Sequence, residues 1–230
     1  MQPKYVIMIN LLSNLKINVP EKIYLKDPES SKLGRRIIEQ SILLIDEIGF
    51  DSYTFKKLGV KIGSNESSIY RYFESKHKLL LYLTSWYWAW IEYQLVFATH
   101  NITDEKLQLQ KAIEVVTRSI KEDNTFLYIN EVVLNRIVIN EYSKSYLTKE
   151  VDAENKEGYF IVYKRLVTRL RDMMIKINPK YKYASSLAST VVEGALHQHF
   201  LKEHFKSITD CDATTTPTQF FTELTFNALK

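Results

Sequence analysis

The sequence predicts an all-α protein, and three observations carry that expectation. Only 6 Gly and 5 Pro occur in 230 residues, so long runs pass without a turn-forming residue. Folds built from strands use many more of them. Apolar residues recur at helical spacing, as in Leu33, Ile37, Ile38, Leu44, Ile45 and Ile48. Between Gly49 and Lys78, two short amphipathic segments flank Gly63-Ser64, which is the pattern of a helix-turn-helix. The expected architecture is a three-helix domain containing that motif, followed by a larger helical body, with about nine helices in all.

Residues 1–26 read as an extension. The pieces 15–19 and 22–25 alternate apolar and polar residues around Pro20-Glu21, which fits a short hairpin or an extended arm. The apolar run 5–12 follows Lys4, but Asn10 interrupts it and no small-residue cleavage site comes after it, so a signal peptide is not expected.

Asp27-Pro28-Glu29 has the order of a helix start: a capping Asp, Pro at the first helical position, and Glu at the positive end of the dipole. Gly49 ends this first helix. Phe55, Leu58 and Ile62 form the apolar stripe of the second helix, and Ile69 and Phe73 that of the third. Gly63 falls where a helix closes in the left-handed region, and Asn65 is placed to cap the third helix. The three helices define a domain over residues 27–75.

The body is expected over residues 76–230. Ser75 is placed to cap a helix reaching about residue 99, through the aromatic run SWYWAWIEY. Residues 79–98 have the length of a membrane span. Thr84, Ser85, Glu92 and Gln94 would be costly in lipid, and Trp86, Trp88 and Trp90 crowd the middle rather than the ends. A long buried helix accounts for the run better. Further helices are expected at 104–122 with Thr103 as cap, at 125–142, at 149–178 with Gly158 inside, at 184–207, and at 218–229 after Pro217.

Charge gives a first indication of function. The net charge is +4, and residues 1–83 hold 13 Lys and Arg against 9 Asp and Glu, while the remainder holds 18 of each. The excess therefore lies with the helix-turn-helix. A basic reader joined to a neutral body matches what neutralising phosphates requires. In such a motif the second helix enters the DNA major groove. Its outward residues are Ser67, Ser68, Tyr70 and Arg71, with Lys76 and Lys78 beyond.

Other chemistries find little support. The single Cys211 excludes an internal disulfide and fits a reducing cytoplasm. His197 and His199 point about 200° apart on a helix, so one ion does not easily reach both, and no metal is expected. No Gly-rich phosphate loop and no local catalytic motif appear, so neither an enzyme nor a cofactor is expected.

The run from residue 33 to 83 resembles the tetracycline-repressor (TetR) family of bacterial regulators. A helix ends in Gly49-Phe50, Thr54 opens the next, and Gly63 makes the turn. Ile69-Tyr70-Arg71-Tyr72-Phe73 then leads through Ser75-Lys76 to Leu79-Leu80. The resemblance implies that Thr54 meets a phosphate, that Asn65, Ser67 and Ser68 open the recognition helix, and that Tyr70 and Tyr72 reach phosphate and groove edge. It further implies that Lys76 clamps a phosphate, and that Ser67, Ser68, Tyr70 and Arg71 read bases. Ser64, Glu66 and Ser67 depart from the family pattern, so the operator sequence does not transfer.

The same resemblance implies a cytoplasmic homodimer on a palindromic double-stranded DNA operator, paired through the last two helices. Leu187, Val191, Leu196, Phe200, Phe220, Phe221, Leu224 and Phe226 carry the apolar faces there. It also implies repression relieved by a small-molecule effector. Trp86, Trp90, Tyr93, Phe97, Tyr159 and Tyr163 are the candidate walls of its pocket, and they favour a lipophilic compound. The alternative from another class is an all-α ligand-binding or scaffold protein whose helix-turn-helix meets protein rather than DNA.

Overall fold

The computed structural model describes residues 17–120, 126 and 128–230. Among them are eleven α-helices and no strand. In order they are α1 (Lys32–Ser52), α2 (Phe55–Ile62), α3 (Glu66–Tyr70), α4 (Lys76–Thr99), α5 (Glu105–Thr117) and α6 (Glu131–Glu141). The remaining five are α7 (Ser143–Tyr146), α8 (Val151–Lys156), α9 (Ile161–Ile177), α10 (Ala184–His204) and α11 (Pro217–Ala228). Two compact units result. One comprises the described residues of Met1–Tyr87, Ile120–Ile137 and Glu141–Tyr159; the other is Trp88–Ser119 with Val138–Asn140 and Phe160–Lys230.

In the first unit α1 packs on α2, and α2 on α3. Ile37, Ile38, Ile42, Ile45, Leu58, Ile62, Ile69 and Phe73 are fully buried there. α1 starts later than the sequence predicts. Asp27 Oδ1 accepts the Glu29 amide and caps only a 3-10 turn, Pro28–Ser30; Ser31 caps α1, its Oγ accepting the Gly34 amide at 3.0 Å. That turn lies so close to α1 that a Cβ on Gly34 would sit 2.1 Å from the Pro28 carbonyl oxygen.

The hairpin is not found among the described residues. Glu21–Ile23 form a 3-10 turn, with Ile17, Val19 and Ile23 buried around it. The region 5–12 and the start of the expected hairpin lie outside the described residues.

α4 begins as predicted, with Ser75 Oγ accepting the Lys78 amide at 3.2 Å. The buried Thr84 hydroxyl donates to the carbonyls of Leu80 and Leu81, so it needs no water. Among the described residues no helix is long and apolar enough to cross a membrane.

In the second unit α9 and α10 pack on each other and on α5, and α11 packs on both α5 and α10. Gly194 of α10 permits the last contact, because a Cβ there would lie 2.7 Å from Cζ of the buried Phe221. Asp104, rather than Thr103, caps α5 through Oδ1, which accepts the Leu107 amide at 2.7 Å. α5 closes at Thr117, and the expected helix over 125–142 starts only at Glu131, after residues 121–125 and 127, which are outside the described set. Gly158, at φ 87°, divides the expected 149–178 helix into α8 and α9. α10 stops at His204 and gives way to a 3-10 turn, Lys206–Ile208. α11 opens with a full capping box between Thr216 and Gln219, as Pro217 at its first position favours.

Candidate nucleic-acid interface

The interface is built by three local devices on α2 and α3. Thr54, in extended backbone, caps α2 through Oγ1, which accepts the Lys57 amide at 3.2 Å. Gly63 closes α2 in the left-handed region at φ 59°, and Ser64 donates its amide to the Gly59 carbonyl at 2.9 Å. Asn65 caps α3, with Oδ1 accepting the Ser68 amide at 2.9 Å and the Ser68 hydroxyl at 2.6 Å. The turn folds tightly over α2, since a Cβ on Gly59 would lie 2.8 Å from the Ser64 carbonyl oxygen.

These caps leave one face of the pair in solvent. Thr54, Asn65, Ser67, Tyr70 and Arg71 are exposed, with Tyr70 at 46%. Tyr70 stands edge-on against the buried Phe55 ring, 5.0 Å between centroids, so its direction is set by α2. Ser68 is half-buried and its hydroxyl is turned to Asn65. Glu66 is half-buried in the first turn of α3, at the positive end of the helix. Sequence reading passed over Lys56 and Lys57, which are exposed in the first turn of α2. The signal for them was their place two and three residues after a capping Thr.

Two of the expected contact residues sit elsewhere. Tyr72 is buried, and its hydroxyl is 2.8 Å from Ser31 Oγ at the start of α1. Lys76 directs its ammonium to the carbonyl oxygens of Phe50 and Asp51 at 3.0 Å and of Tyr53 at 3.2 Å. Both placements depend on tertiary neighbours that a local motif does not announce.

The first unit fastens the far side of α1 through charged groups. Arg136 grips Asp46 with Nε and Nη2 at 3.0 and 2.7 Å. Glu141 Oε1 accepts the Phe50 amide at 3.1 Å, and Lys144 joins Glu141 to Asp51. The hydrogen bond from Lys144 holds the Asp51 carboxyl below its usual range. At the start of α4, His77 Nε2 meets the buried Glu154 at 2.9 Å, and the Lys78 ammonium lies over the Tyr159 ring.

The aromatic residues expected to wall a pocket are divided between the two units. Trp86 and Tyr159 are buried in the first unit, Trp86 against Phe126. Trp90, Tyr93, Phe97 and Tyr163 belong to the second. There Trp90 is buried, Phe97 is 72% exposed, and Tyr163 donates to the Glu193 carboxylate. The second unit also holds an open groove of about 470 Å³ between α5 and α11, with Gln110, Glu114, Thr222, Phe226 and Lys230 in its walls. Of the residues expected at a dimer interface, Leu187, Val191, Leu196 and Phe221 are buried within the chain; Phe220 and Leu224 are exposed.

Residues 37–83, which span α1 to the first turns of α4, match the family described as bacterial regulatory proteins, tetR family. The chain carries a domain of the tetR family over those residues. A tetR-family protein carrying this helix pair is a DNA-binding transcriptional regulator. The fold agrees with a tetR-family regulatory protein from Rhodococcus RHA1 at TM-score 0.56 and 13% identity, covering 86% of this chain and 96% of that one. It agrees with AibR, solved with isovaleryl coenzyme A and operator DNA, at 0.52 and 16%, covering 83% and 96%. The superantigen PfiT aligns at 0.57 and 16%, covering 88% and 97%. Likeness at these identities concerns the fold alone. No curated protein matches the chain.

Proposed function

We propose that this tetR-family regulator is a cytoplasmic homodimeric repressor, released from a palindromic operator by a small lipophilic effector. Residues 27–75 are its reader and residues 76–230 its effector-binding and dimerisation body. The observation that carries the proposal is the exposed face of Thr54, Ser67, Tyr70 and Arg71, on two helices whose N-termini are capped by side chains. Thr54 and the first-turn amides of α2, with Lys56 beside them, take phosphate. Ser67, Tyr70 and Arg71 reach base edges, and Asn65 and Ser68 set the angle of α3.

A single short helix reads few bases, so two copies related by a two-fold axis are needed for a specific site. The exposed Phe220 and Leu224 on α11 supply apolar surface for that pairing. For the effector, the isovaleryl coenzyme A bound by AibR, whose acyl end is its lipophilic part, makes short fatty acids and their coenzyme A thioesters the first compounds to test.

Selection of bound fragments from genomic DNA, followed by footprinting, tests the reader. The expected result is a two-fold symmetric protected site that Tyr70→Ala and Arg71→Ala abolish while the thermal midpoint stays within about 2 °C, as surface changes usually allow. Binding unchanged in both variants sinks the assignment. Adding short fatty acids and their coenzyme A thioesters to the bound complex then tests release.

A further inference from the structure

Lys76 stands at the start of α4, directly behind the corner where α1 turns into α2. An ammonium group carries three N–H donors and no more. All three have acceptors inside the chain: the carbonyl oxygens of Phe50 and Asp51 at 3.0 Å and of Tyr53 at 3.2 Å. The same ammonium lies 4.8 Å from the centroid of the buried Phe50 ring.

Gly49, at φ 75°, breaks the helical path just before them, so these carbonyls belong to the single turn that follows; of the three, only Phe50 also accepts a backbone amide, from Tyr53 at 3.3 Å. The Ser52 carbonyl between them is taken by Lys57 Nζ at 2.8 Å. Four successive carbonyls, Phe50 to Tyr53, are thus held by two lysines. The next residue is Thr54, which caps α2.

We propose that Lys76 is a positioning residue for DNA binding rather than a phosphate clamp. It orders the α1–α2 corner, so that Thr54 and the first-turn amides of α2 are presented in fixed geometry, and its charge offsets the carbonyl oxygens of Phe50, Asp51 and Tyr53 beside the approaching phosphate. This rests on the reading of α2 and α3 as the DNA-facing pair.

Salt dependence separates the two roles. A lysine that neutralises a phosphate adds about 0.9 to the slope of log K against log salt, and a positioning lysine adds nothing. The probe is a 24-base-pair duplex of arbitrary sequence, titrated with the full-length protein from about 50 to 200 mM salt. Lys76→Met is expected to weaken binding severalfold at every salt concentration with the slope unchanged. Lys76→Arg recovers part of the affinity, and Arg71→Gln lowers the slope by close to one contact. A slope reduced in Lys76→Met as much as in Arg71→Gln overturns the proposal.

A measurement on the unmodified protein covers the case in which Lys76→Met does not fold. Nitrogen-15 spectra of the lysine ammonium groups should show Lys76 protected from solvent exchange before DNA is added and unshifted afterwards. An Nζ signal that exchanges like an exposed lysine, or that moves on adding the duplex, contradicts it. If the wild-type protein does not bind duplex at all, the reader assignment fails instead, and the spectrum of the free protein still tests the clamp on the carbonyls.

Discussion

Gly63 has nothing within 4 Å of where its Cβ would be, so its role lies in the backbone alone. At φ 59°, an L-residue carries the left-handed penalty. Gly63→Ala should therefore cost about 1–2 kcal/mol, and Gly63→Asn less, since Asn visits that region with local hydrogen bonding. Urea denaturation of the three proteins checks the order; equal midpoints for Ala and Gly would contradict the turn geometry. A different balance holds at Glu92, which is buried between α4 and α9. Burial pushes its carboxyl upward, but hydrogen bonds from Arg165 and Arg169 outweigh that and hold it below the usual range. A carboxyl lowered in the folded state adds stability above its unfolded value of about 4.3 and loses it as pH falls through the folded value. Both arginines are about half exposed and rehydrate readily when the partner is lost. Glu92→Gln should thus cost about 1–2 kcal/mol at pH 7, the low end for hydrogen bonds to charged groups. The cost should begin to shrink as pH falls below about 4.3, where the unfolded carboxyl gains its proton, and keep shrinking until the folded one does. A pH-independent difference between the two denaturation series would rule out the ion cluster as its cause.

Elements meet through groups of this kind as well. His199 on α10 donates Nε2–H to the Thr117 carbonyl at the end of α5, at 2.9 Å. Burial lowers its pKa from the ordinary histidine value, against the opposing effect of that hydrogen bond. The folded state therefore binds fewer protons than the unfolded state, and the His199 contribution is complete above pH about 6.5 and falls as the solution is acidified. The thermal midpoint of wild type should drop between pH 7.5 and 5.5 more than that of His199→Gln, in which the amide keeps a donor but does not titrate. Parallel curves would show that α10 and α5 are not coupled through this ring. The elements themselves were legible where the determinant is local. Thr54, Gly63, Asn65 and Ser75 each announce a cap or a stop by residue type and spacing, and each does that work in the fold. Asp27 has the right type too, yet it caps a 3-10 turn, because the Pro28 carbonyl lies where only the bare Gly34 admits it. Gly158 was visible but reads as a tolerated interior glycine until its φ of 87° is known. Lys76 and Tyr72 were hidden for a stronger reason. A carbonyl cluster 23 to 26 residues away, and a hydroxyl 41 residues away, leave no trace in a local pattern.

At the scale of the whole chain, the charge distribution and the exposed face lead to one quantitative expectation. The surplus of positive charge lies within residues 1–83, where 13 basic residues face 9 acidic ones. Many of those charges are already committed. Lys61 pairs with Glu47, Lys22 with Glu157, and the Lys57 and Lys76 ammonium groups meet carbonyls. The cations left to meet phosphate near α2 and α3 are chiefly Lys56 and Arg71, joined by neutral donors on Thr54 and Ser67 and the helix-end amides. Counterion release counts cationic neutralisation, whereas the neutral donors fix geometry without steepening the salt dependence. One copy of the reader should therefore show a shallow slope, about 2 in log K against log salt, and a palindromic site holding two copies about twice that. Titration of a selected operator and of its half-site duplex, each from about 50 to 200 mM salt, gives both slopes. Equal slopes for full and half sites would mean that one reader engages at a time, contrary to a symmetric dimer. A slope near zero on both would place the exposed face of α2 and α3 against a protein surface instead, because apolar contact releases no counterions.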